Sequence, residues 1–160
     1  MESAVMLRVD EHLAAAPADV CFRIGADVER WPDILPHYRW VRFREKRSFA
    51  NGIVEMAAWR PFGIFKYPTW WVSRMWHDPV APAVYYEHIE GMTRRMDVRW
   101  EFEPRGDDTL IRVVHEWTGP AWPLIGRVAA EYVIGPGFIS AIAQRTVAGV
   151  AAEAARQARA

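Results

Sequence analysis

The sequence predicts an α+β fold: a curved antiparallel sheet of seven strands, two short helices after the first strand, and a long C-terminal helix across the concave face. Three observations carry this expectation. From Tyr38 to Trp117 apolar and polar residues alternate almost without pause, the period of two expected of strands with one buried face. The breaks in that alternation are short and rich in turn residues, so successive strands should pair as an antiparallel meander. After Pro120 the chain becomes alanine-rich and its apolar spacing turns helical.

The elements follow in order. Val5, Leu7 and Val9 share one face of a first strand over residues Val5 to Ala14. Pro17 stands near a helix start, where its missing N–H has no intrahelical partner, and Val20, Cys21, Phe22 and Ile24 give that helix an apolar face. A second short helix is expected from Val28 to about Leu35, with Pro32 in its first turn and Pro36 beyond its end. Six strands come next: Tyr38–Arg47, Gly52–Arg60, Phe65–His77, Ala83–Glu90, Arg95–Pro104 and Thr109–Thr118. Their separators hold Asn51-Gly52, Pro61 with Gly63, Pro79 with Pro82, Gly91, and Gly106-Asp107-Asp108. The Arg95–Pro104 strand is the clearest, with Met96, Val98, Trp100 and Phe102 alternating with Asp97, Arg99, Glu101 and Glu103. Leu124, Val128, Tyr132, Ile139, Ile142, Thr146 and Val150 then follow helical spacing, with a bend expected at Gly135-Pro136-Gly137. The whole of residues 1–160 reads as one domain.

Composition narrows the function. Twenty basic residues balance twenty acidic ones, so the basic excess that displaces counterions from phosphates is missing and a nucleic-acid partner is not expected. Cys21 is the only cysteine, which forbids an internal disulfide and agrees with a reducing compartment. No apolar run reaches membrane-spanning length, and Arg8, Asp10 and Glu11 interrupt any leader-like core. The expected location is the cytoplasm. Nine Trp, seven Phe and five Tyr exceed what a core of this size needs, and aromatic excess points to a pocket or an interface. A strongly curved sheet cannot fill its own hollow, and a closing helix rich in Ala and Gly supplies little volume. The expected consequence is an aromatic-lined cavity for a hydrophobic small molecule, although small residues also let a helix pack closely on a sheet.

The chain also resembles the START-like, helix-grip superfamily, which includes pollen-allergen proteins, polyketide cyclases and coenzyme Q-binding proteins. Three segments carry the likeness: Val28-Glu29-Arg30-Trp31-Pro32-Asp33-Ile34-Leu35-Pro36, the Gly91-Met92-Thr93-Arg94-Arg95-Met96 turn with its Val98/Trp100 strand, and Ile142-Ala143-Gln144-Arg145-Thr146-Val147-Ala148-Gly149. The resemblance spans nearly the whole chain and looks closest to bacterial polyketide cyclase/dehydrase-like members. It implies a helix-grip fold and a cavity whose mouth lies beside the short helices, where Trp31 would sit. It implies function less sharply, because such superfolds host many activities.

Several standard chemistries find no motif. His12, His37, His77, His88 and His115 stand apart without metal-ligand spacing. There is no phosphate-cradling glycine loop, and Ser3, Ser48, Ser73 and Ser140 lack a nucleophile-elbow context. Neither metal nor cofactor is expected. What remains are polar residues on otherwise apolar strand faces. His115 runs in phase with Ile111, Val113 and Trp117, and His88 with Tyr86. His115 reads either as a buried, satisfied histidine or as a pocket acid/base, and His88 either as a pocket group or as an exposed edge residue. Arg60 runs with Val54, Met56 and Ala58, and reads either as a strand-end ion pair or as a cation holding a carbonyl or enolate oxygen. In a cyclase, Arg60, His115 and Tyr86 are the catalytic candidates, supplying a basic group and a hydrogen-bond donor for an aldol condensation and dehydration. The expected lining is Trp31, Met56, Trp71, Met75, His88, Met96, Trp100, Trp117 and Ile142. Trp71 is placed inside with Ser73 and Met75, whereas Trp70 is placed outside with a cation–π contact to Arg74.

Three functions compete on these residues. The first is a binding or carrier domain for a ring-containing or polyketide-like compound. The second is a cofactor-independent cyclase/dehydrase. The third is an interaction module or homodimer joined through exposed aromatics.

Overall fold

The computed structural model describes residues 5–62, 64–118 and 140–160. Seven strands form one antiparallel sheet: β1 (Met6–Ala14), β2 (Tyr38–Ser48), β3 (Asn51–Phe62), β4 (Phe65–Asp78), β5 (Ala83–Gly91), β6 (Asp97–Arg105) and β7 (Asp108–Trp117). Their spatial order is β1-β7-β6-β5-β4-β3-β2, so six strands form a meander and β1 closes against the last of them. Helix α1 (Ala18–Ala26), a 3-10 turn (Val28–Arg30) and the one-turn helix α2 (Trp31–Ile34) fill the long step from β1 to the opposite edge strand β2. Helix α3 (Ser140–Arg159) lies along β1, packs on α1, and reaches β3, β7 and α2. This is the sheet closed by a final helix that the alternation and the helical period predict, and the helix-grip arrangement that the family resemblance implies. Leu124, Val128, Tyr132, Ile139 and the expected Gly135-Pro136-Gly137 bend lie outside the described residues.

The inward set matches the period-two reading on β3, β5, β6 and β7. Val54, Met56 and Ala58, then Val84 and Tyr86, then Val98, Trp100 and Phe102, then Ile111, Val113 and Trp117 are all buried. On α3 the spacing of four places Ile142, Thr146 and Val150 on the buried side. Gly149 fits because Leu35 occupies the space a side chain would need: a Cβ there would lie well inside contact distance of Leu35 Cδ2. That close approach seats α3 against the end of α2.

Three local expectations are revised. The apolar face of β1 points outward, with Val5, Leu7, Val9 and Leu13 exposed, while Arg8 and Asp10 turn inward, 3.8 Å apart. Alternation identified the strand but not its buried side. Strand β6 starts at Asp97 rather than Arg95, because Arg95 takes a left-handed φ of 75° and donates its N–H to the His88 carbonyl at 2.9 Å. Trp70 is exposed as expected, but the guanidinium over its ring, at 5.8 Å, belongs to Arg44 rather than Arg74. Arg74 instead pairs with Glu87 at 2.7 Å.

Candidate functional site

Where the curled sheet faces α3, a cavity of about 80 Å3 remains. Its walls come from every layer: Trp31 of α2, Tyr38 of β2, Met56 of β3, Trp71 of β4, Tyr86 and His88 of β5, and Ile142 and Thr146 of α3, with β6 and β7 as floor. Side chains from six strands and two helices meet at one space only because the sheet wraps. Trp31, Trp100 and Tyr38 form one edge-on and tilted aromatic cluster, with centroids 5.1 Å (Trp31–Tyr38) and 5.5 Å (Trp31–Trp100) apart. Trp31 is fixed by its indole N–H, which donates to the Ile24 carbonyl at 3.2 Å. It is therefore an interior wall, 2% exposed, and not the rim residue that the family resemblance implies.

The polar groups fall into three sets. His88 Nδ1 lies 2.7 Å from Thr93 Oγ1, and its ring stacks on Trp71 at 5.9 Å and 11°. Thr146 donates its hydroxyl to the Ile142 carbonyl at 2.8 Å. Its oxygen then accepts from His37 Nε2 at 2.9 Å and stands 3.5 Å from the Tyr38 hydroxyl. The third set is different in kind. Tyr86 Oη and His115 Nδ1 belong to two of the lining residues, are buried, and make no hydrogen bond among the described residues. Most buried polar atoms in folded proteins have a partner, so two such atoms on residues of one small cavity are informative.

Burial dominates the proton affinities here. It lowers His88 to about 3, with His115 adding to the effect, and lowers His115 to about 4, helped by the Arg8 charge. His37 falls to about 4 for the same reason, with Arg145 contributing. Burial raises Tyr86 well above its ordinary value. At neutral pH the three imidazoles are uncharged and the phenol keeps its proton. Among the described residues the cavity is thus uncharged, with apolar walls interrupted by hydrogen-bonding side chains.

Of the sequence-derived candidates, Trp31, Met56, Trp71, Tyr86, His88, Met96, Trp100, His115 and Ile142 line this space. Arg60, Met75 and Trp117 do not. Arg60 lies four residues beyond Met56, roughly 13 Å along the strand, and its Nη1 donates to the Tyr67 hydroxyl at 3.0 Å. Met75 is packed in the core with no exposure. Trp117 is turned to the β5–β6 turn, where its indole donates to the Arg94 carbonyl at 3.1 Å. Tyr38, Thr93 and Thr146 line the cavity but were not among the candidates. Thr146 was on the predicted helical stripe, and its phase with Ile142 was the available signal.

Comparison with known proteins places this geometry. The chain matches the model described as polyketide cyclase / dehydrase and lipid transport over residues 14–132. No curated protein sequence matches it. Among solved structures, it is similar to the Zhui aromatase/cyclase from Streptomyces sp. R1128, at 21% identity, 98% coverage of both chains and a TM-score of 0.75. A Thermus thermophilus protein superposes with a TM-score of 0.78 at 17% identity, covering 97% of this chain and 100% of that one. Ginseng major latex-like protein 151 from Panax ginseng gives 0.72 at 11% identity, with 93% and 97% coverage. Likeness at these identities concerns the fold. The family model covers most of the sequence, and the chain belongs to the polyketide cyclase / dehydrase and lipid transport family.

Proposed function

We propose that this protein binds a small, ring-bearing hydrophobic molecule in the cavity and orients it through a carbonyl or hydroxyl group held by Tyr86 and His115. The observation that carries this reading is the pair of buried, unpartnered polar atoms on residues of a largely apolar wall. Leaving a buried hydrogen-bonding group unmet costs about 1–3 kcal/mol. A guest that meets both atoms recovers part of that cost on binding. Tyr86 offers a proton to a carbonyl oxygen, while His115 Nδ1 offers or accepts one according to its tautomer.

The cavity's size limits the guest. Drug-sized ligands occupy pockets of about 300–1,000 Å3, several times the space here. Set against the roughly 150 Å3 of a cavity that holds benzene, this space is too tight for a ring as it stands, so a ring-bearing guest requires the lining to move. Trp71, the partly exposed aromatic of the wall, is the side chain best placed to do so.

A cofactor-independent cyclase/dehydrase is the second reading, supported by family membership. It asks more of the histidine. A general base works best with a proton affinity near the operating pH, and burial holds His115 at about 4. Tyr86, raised by burial, is a hydrogen-bond donor rather than a proton source. These values favour holding a guest over abstracting its proton. Native mass spectrometry of protein isolated from its own host tests both readings. A co-purifying aromatic or polyketide-like compound that is released unchanged supports binding, whereas release as a cyclised, dehydrated product supports the enzyme. Finding only apoprotein, together with no uptake of one-ring ketones, argues against both.

A further inference from the structure

A second concavity, a cleft of about 440 Å3, lies between the α2–β2 link, the β3–β4 hairpin and α3. Pro36, Trp59 and Gly149 supply apolar walls, and His37, Lys66 and Arg145 supply nitrogen. No carboxylate is among its described lining residues. The chain as a whole carries no net charge, and several of its arginines are matched to acids: Arg42 and Arg44 to Glu55, Arg74 to Glu87, and Arg112 to Glu101. Among the described residues Lys66 and Arg145 have no such acid. Lys66 instead places its ammonium 4.6 Å from the centre of the Trp59 ring, and a second cation, Arg39, lies 4.7 Å from the same ring. The cleft is a concentration of positive charge beside a flat apolar surface.

We infer that this cleft is a separate site for an oxyanion, a phosphate monoester or carboxylate, carried on a flat apolar body. The oxyanion lies between Lys66 and Arg145, and the body rests against Ile34, Pro36 and Pro61, beside Trp59. Arginine suits this role through its planar fork of donors and lysine as a mobile point charge. His37 connects the two concavities. It lines the cleft, while its Nε2 is bonded to Thr146 on the cavity wall. An anion that neutralises Arg145 removes one of the two influences that hold His37 near 4, so occupancy of the cleft is written into the His37 titration.

The test uses phenyl phosphate, with inorganic phosphate and phenol as controls, followed by two-dimensional NMR of the whole chain. Phenyl phosphate should produce saturable shifts at the Trp59 indole N–H and the Gly149 amide, and should raise the His37 pH midpoint. Its affinity should exceed that of either control by about tenfold or more, a difference of about 1.4 kcal/mol. The double variant Lys66→Gln/Arg145→Gln changes two exposed side chains and should weaken binding at least about tenfold, while Tyr86→Phe leaves it unchanged. Shifts confined to cavity resonances, equal binding by the double variant, or inorganic phosphate binding as tightly as the phenyl ester would each overturn the inference. Because Tyr86→Phe is silent in this assay, failure here is distinguishable from failure of the cavity reading.

Discussion

Tyr86 and His115 stand directly opposite the same residue, Val98, one from β5 and the other from β7. Directly paired residues project to the same face, so the phenol and imidazole flank Val98 with their backbones about 10 Å apart. Arg8 extends the same row on β1 and Met75 extends it on β4. The register, more than any local motif, brings the two unpartnered groups to one wall.

That arrangement predicts opposite effects on stability and binding. Tyr86→Phe removes a buried hydroxyl without a partner, so the free protein should be as stable as the parent or more so, by up to about 1–3 kcal/mol. Uptake of acetophenone, a one-ring ketone, should weaken at least about tenfold. Thermal unfolding and quenching of the cavity tryptophans measure the two effects. Lower stability together with unchanged uptake would show that the hydroxyl serves packing only.

The histidines set a pH dependence whose sign follows from their lowered values. Unfolded, each binds a proton near 6.5; folded, His37 and His115 do so near 4 and His88 near 3. Between these limits the unfolded chain holds more protons, so stability rises with pH and falls as pH drops from about 6.5 toward 4. Each histidine contributes up to about 1.4 kcal/mol per pH unit. Urea unfolding at pH 7, 5.5 and 4 should show the decline, and His115→Asn should make it shallower. A flat profile would mean that these rings reach solvent.

Glu55 acts in a lower window. Burial pushes its carboxyl up, but hydrogen bonds from Arg42, Trp70, Arg44 and Trp40 outweigh that and hold it at about 2. Its contribution is complete above its ordinary value of 4.5 and is lost as pH falls toward 2. Glu55→Gln should therefore destabilise at neutral pH, by about 1.5–3 kcal/mol for its charged hydrogen bonds, and the deficit should shrink below pH 4. A constant deficit across that range would contradict the ionic account.

Gly149 tests how α3 is seated. Gly149→Ala drives a methyl into Leu35 and should cost about 1–3 kcal/mol by overpacking. Leu35→Ala alone should also destabilise, by about 2–5 kcal/mol. Combined, the two should cost less than their sum, since each relieves the other. Simple additivity in denaturant melts would place the clash elsewhere.

The fold was legible because its signal is periodic. Alternation marked all seven strands, and the change to helical spacing marked α3. The site was only half legible, for a geometric reason. A period of two says which side of the sheet a residue faces, but not how far along the strand it sits. Arg60 and Trp117 share the inward face with Met56 and His115 yet lie beyond the cavity, at other depths. Thr93 was hidden because it stands in a turn, and Tyr38 because it opens a strand. The outward turn of Val5, Leu7 and Val9 was equally illegible, since an edge strand can present an apolar face to solvent while α3 covers its polar one. Family likeness implied a rim position for Trp31, whose side chain is instead buried.

The most direct measurement is a titration of the protein with acetophenone and with toluene, followed through the methyl signals of Met56 and Met96 on the cavity wall. Saturable shifts with both compounds, a clear preference for the ketone, and loss of that preference in Tyr86→Phe are the predicted result. Methyl signals that stay fixed, or ketone and hydrocarbon binding alike in the parent protein, would contradict it.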